Sequence, residues 1–117
     1  MDVVWRVSAD RFDAEAFITR HRLNPCVRHG GASFNVVIAE GIESSPLDSL
    51  VEAFLREHRI ALQELASVGA PSELDLAYFI HLGEELGSGV CVSPSVLSAL
   101  GDAGVGLAVT TYLCQDE

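Results

Sequence analysis

Lysine is absent from this 117-residue chain, and no arginine follows Arg59. The positive charges are seven arginines, Arg6, Arg11, Arg20, Arg22, Arg28, Arg56 and Arg59, set against 17 acids for a net charge of −10. Residues 1–59 hold all seven bases with nine acids, and residues 60–117 hold eight acids unopposed. Phosphate contacts need clustered positive charge, so nucleic acid is not an expected partner. A basic protein partner is, with Glu73, Asp75, Glu84 and Glu85 as candidate docking residues, weighed against the plainer reading of a solvated acidic face.

Long apolar runs are also missing. None approaches the roughly 20 residues of a membrane-crossing helix, and MDVVWRVSAD lacks the basic-then-apolar layout of a secretion signal. A soluble, cytoplasmic protein with no membrane partner is therefore predicted. Three cysteines, Cys26, Cys91 and Cys114, are an odd number at irregular spacing, which fits a reducing compartment better than a disulfide framework.

Metal and nucleotide motifs are equally scarce. Cys26 and His29 in NPCVRHGG form one C-x-x-H pair, but a structural zinc site wants four ligands and no second pair follows, so no metal and no cofactor is expected. Arg28 and His29 beside Cys26 would favour a thiolate, the ingredient of a nucleophile, yet neither an orienting group nor an oxyanion hole accompanies them, and a small buried hydrophobe is the plainer reading. The loop GEELGSG at 83–89 matches no phosphate-cradling pattern, and its two glutamates would repel phosphate. No catalytic residue is assigned.

What the chain does contain is periodicity. Hydrophobic residues make up 49% and charged residues 21%, a globular balance, and 117 residues suit one domain, 1–117. Strands are predicted at 3–8, 33–40, 74–82 and 105–114 from apolar–polar alternation. A helix follows Asp13 as N-cap, with Phe12 and Phe17 as a hydrophobic staple, and stops near Leu23 because Pro25 disfavours helical geometry at Asn24. A long helix over 46–68 opens at Ser45-Pro46, carries one apolar stripe with a kink near His58-Arg59, and ends at Gly69. A last helix begins at Ser93-Pro94 and ends at Gly101 or Gly104.

Strand, staple and N-cap, helix, strand occurs twice, with Val92-Ser93-Leu97 echoing Phe12-Asp13-Phe17. Two βαβ halves of this kind predict a two-layer, ferredoxin-like α+β fold: a four-stranded antiparallel sheet with two helices on one face and the long helix inserted between the halves. The other face would carry Val4, Arg6, Val37, Ala39, Ala77, Phe79, Ala108 and Tyr112, too apolar to lie bare. Either the long helix covers it, the favoured expectation, or two chains pair sheet to sheet, so monomer and homodimer both stay open.

In this order of elements the chain resembles the domain of unknown function 4279 family, a group of small bacterial domains. The likeness rests on the short first strand, the helix ending in Leu23-Asn24-Pro25, the basic stretch running into Gly30, the S-P-S-V-L-S-A-L-G segment at 93–101 and the G-V-x-L-x-V-x-x-Y strand from Gly104 to Tyr112. The chain is shorter than the family pattern between Gly31 and Phe34. The resemblance implies an α+β fold and bacterial origin and supplies no catalytic residues. Two functional expectations result: a non-enzymatic protein-interaction module, immunity-like in binding a basic partner, or a small anionic-ligand-binding or regulatory domain using Arg6, Arg11, Arg28 and His29.

Overall fold

The computed structural model describes residues 1–10, 12–28, 33–42, 47–81 and 91–114. Its order is β1 (Asp2–Ser8), α1 (Ala14–Arg20), β2 (Val27–Arg28), β3 (Ser33–Ala39), α2 (Leu47–Glu57), α3 (Arg59–Ser67), β4 (Ser72–His81), α4 (Pro94–Asp102) and β5 (Val105–Cys114). All four predicted strands are present, and β2 is an added two-residue strand inside NPCVRHGG, paired antiparallel to β3 through Val27–Asn35 and Arg28–Phe34.

Local chemistry sets the helix ends. Asp13 caps α1 by accepting from the Ala16 amide at 3.2 Å, and the Phe12 and Phe17 rings meet at 5.2 Å. The helix closes with Leu23 N–H bonding to Ile18 O and Arg22 N–H to Thr19 O, a Schellman arrangement that puts Arg22 at φ 54. The predicted long helix is two helices broken at His58, although His58 N–H still reaches Phe54 O and Leu62 N–H reaches His58 O. Gly69 at φ 67 ends α3, and Gly104 at φ 74, rather than Gly101, ends α4. Ser93 accepts from the Val96 amide as N-cap, but Leu97 is 46% exposed, so the second half does not reproduce the buried staple of the first.

The sheet order is β2-β3-β1-β4-β5. β1 is central and antiparallel to both β3 and β4, whereas β4 and β5 run parallel from Ser72–Val105 to His81–Cys114. The fold is therefore α+β with a mixed sheet, and the expected all-antiparallel, ferredoxin-like arrangement is corrected. The reason is competition for β1: β3 and β4 occupy both its edges, so β5 can join only the outer edge of β4. Returning there through α4 delivers it parallel, as a strand–helix–strand crossover requires.

Helix packing also differs from expectation. Trp5 on β1 meets Phe54 of α2 edge-on at 5.3 Å, and Phe17 of α1 lies 6.1 Å from Phe34 of β3. Leu62 and Leu65 of α3 and Val96 and Leu100 of α4 join the same buried cluster, with Val3, Val7, Leu74 and Leu76 beneath them. Both α2 and α3 thus lie on the same side of the sheet as α1 and α4, and the long helical segment does not cover the far face. Its stripe packs into the cluster built on the Val3–Trp5–Val7 row, where burial contributes roughly 1.5–3 kcal/mol per large side chain.

Candidate interaction surface on the uncovered sheet face

Alternation along β1, β4 and β5 sends Arg6, Asp75, Thr110 and Tyr112 to the far face. Register completes the meeting: Val4 pairs with Asp75 and Arg6 with Glu73 across β1–β4, while Asp75 pairs with Ala108 and Ala77 with Thr110 across β4–β5. Arg6 Nη2 donates to Asp75 Oδ2 at 2.5 Å, and the Thr110 hydroxyl donates to Asp75 Oδ1 at 2.7 Å. Asp75 is 1% exposed, whereas the Arg6 side chain is 38% exposed. Burial works against the Arg6 charge, but hydrogen bonds to Asp75 and Tyr112 outweigh it and raise its pKa above the ordinary arginine value.

This geometry joins two sets of candidates that the sequence reading kept apart. Asp75, expected to face a basic partner, is buried and engaged by Arg6, expected to clamp an anion. Glu73 is exposed on the same face, beside a shallow depression of about 340 Å³ that Arg6, Ser8, Ser33, Asn35 and Ser72 also line. Arg28 lies on β2 by its backbone register. Arg11, His29, Glu84 and Glu85 fall outside the described residues.

Thr110 was not singled out from sequence, yet its signal was there: it continues the period-two row Ala108, Thr110, Tyr112 opposite the row that holds Asp75. The other missed feature is the stacking of two aromatics that the sequence placed on this face. Phe79 and Tyr112 are register partners on β4 and β5, and their rings stack at 5.3 Å with planes 18° apart while remaining 48% and 41% exposed. No described helix lies over them.

The cysteines depart from expectation as well. Cys26 is exposed rather than the small buried hydrophobe expected of it, Cys91 is exposed too, and Cys114 is half-buried. Cys26 owes its position to β3, since its amide donates to Asn35 O at 2.8 Å, and that ladder bond draws it out along the sheet edge. His58 packs its ring against Trp5 at 5.1 Å and Phe54 at 5.2 Å, and burial lowers its pKa. Among the described residues no three His, Cys, Asp or Glu side chains gather as metal ligands, and no helix is long and apolar enough to cross a membrane.

No family model, no curated protein and no solved structure matches this chain.

Proposed function

We propose that this chain is a non-enzymatic protein-interaction module of a bacterial cytoplasm, immunity-like in engaging a basic protein partner. The observation that carries the reading is the Phe79–Tyr112 stack, two half-exposed aromatic rings held side by side on a sheet face that no described helix covers. Rigid aromatic pairs with a polar surround have the make-up of an interface centre, and exposing them costs solubility unless a partner covers them. Glu73 and the excess of acids after residue 59 supply the charge that draws a basic surface in. Membership of the domain of unknown function 4279 family forms part of the same proposal.

Affinity capture from the native bacterium in low and high salt tests it, with the wild type run beside Phe79→Ala/Tyr112→Ala. The expected result is a protein held by the wild type, released by salt and lost from the double variant. A wild-type chain that retains no salt-sensitive protein, or a double variant that retains the same one, refutes the reading.

The second reading, a small anionic-ligand-binding or regulatory domain, draws on the depression beside Arg6. The Arg6–Asp75 pair counts against it, because the guanidinium already faces a carboxylate and Glu73 adds another acid. Thermal-shift screening against anionic metabolites decides: stabilisation lost in Arg6→Met supports it, and no stabilisation by any compound removes it.

A further inference from the structure

The two edges of the sheet are built differently. At one edge β2 is two residues long, follows Pro25 and contains Arg28, which are the short length, proline and charge by which sheets discourage pairing. At the other edge β5 runs for ten residues, VGLAVTTYLC, with no charge, no proline and an unbroken register against β4. Among the described residues nothing pairs with its outer side. Leu113 is 74% exposed and Val109 57%, so the strand offers apolar side chains as well as a free backbone ladder.

We propose that β5 is a self-association edge, pairing antiparallel with β5 of a second copy about a two-fold axis to make one continuous sheet. A straight strand is complementary to itself in the antiparallel sense, since each outward N–H and C=O meets its own counterpart. The ladder would extend about 33 Å at roughly 3.3 Å per residue. A second copy is the occupant that the strand's self-complementarity favours, and in a chain of net charge −10 β5 is a ten-residue uncharged stretch whose own ladder sets no acid against another. Acids nevertheless bracket it, Asp102 before and Asp116 and Glu117 after. Association therefore tightens as salt screens them, the reverse of the salt response expected for a basic partner. Edge pairing leaves Phe79 and Tyr112 free, so this proposal and the proposed function stand or fall separately.

Sedimentation analysis of the full chain from micromolar to millimolar concentration, in low and high salt, tests it. A species of twice the 12.5 kDa chain mass is expected, more abundant in high salt. Val109→Lys, beside the two-fold axis, should weaken it by about tenfold or more through like-charge contact across the edge, and Leu113→Lys, at an exposed position, should weaken it by replacing an apolar side chain at the paired edge with a hydrated charge. Phe79→Glu, on the sheet face, should leave it unchanged. Amide exchange gives an independent reading on the unaltered chain: alternate β5 amides exchange fast in a monomer, and the whole strand is protected in the edge-paired dimer. A monomer under every condition overturns the proposal, as does a dimer that resists both lysine variants or yields to Phe79→Glu instead.

Discussion

Removing the guanidinium of Arg6 should destabilise the fold more than removing the charge of Asp75, even though both act on the same ion pair. Asp75 is 1% exposed, so Arg6→Met strands a buried carboxylate that keeps, among the described residues, Thr110 as its donor. Breaking a fully buried pair costs about 3–5 kcal/mol, and the 38% exposure of Arg6 screens part of that, leaving about 2–3 kcal/mol. Asp75→Asn keeps the volume and a partner for Thr110, while the freed guanidinium turns toward solvent, for a cost of about 1 kcal/mol. In the double variant the stranded charge is gone, so its loss should fall about 1–2 kcal/mol short of the sum. Urea unfolding read by the fluorescence of Trp5, the single tryptophan and fully buried, measures all four chains. Equal single-variant losses that add without coupling would refute the reasoning.

Burial holds the His58 pKa below its ordinary value, so the unfolded chain binds the extra proton first and stability falls as pH drops from about 7 toward 5. His58→Phe should flatten that part of the stability–pH curve, and an unchanged slope would exclude His58 as its source. Glu64 is held below the usual carboxylate range chiefly by its hydrogen bond from Arg20, so its contribution lasts through that window and fades only below about pH 4.5; Glu64→Gln should alter the curve only there. Arg22 is a non-glycine residue in the left-handed region, and Arg22→Gly should raise the unfolding free energy by about 0.5–1 kcal/mol in the same urea assay. Phe54→Ala empties the space against Trp5 and should cost about 3–5 kcal/mol, with loss of native tryptophan fluorescence at a lower urea midpoint.

The sequence by itself placed the elements, because alternation, capping and helix termination act over a few neighbouring residues. Asp13 and Ser93 are the N-caps expected of them, Trp5 and Phe54 lie in the core, and Gly69 ends its helix in a left-handed conformation. Even the interruption at His58 was legible as a kink in one apolar stripe. Tertiary structure alone decided the rest. That β5 runs parallel to β4 depends on which strands take the two edges of β1, a contest among segments separated by tens of residues. That Arg6 meets Asp75 depends on register between positions 69 apart, so a residue that reads as a surface acid becomes a buried ion-pair partner. Which sheet face the helices cover depends on the whole apolar area on each side, and that sum left Phe79 and Tyr112 stacked in solvent.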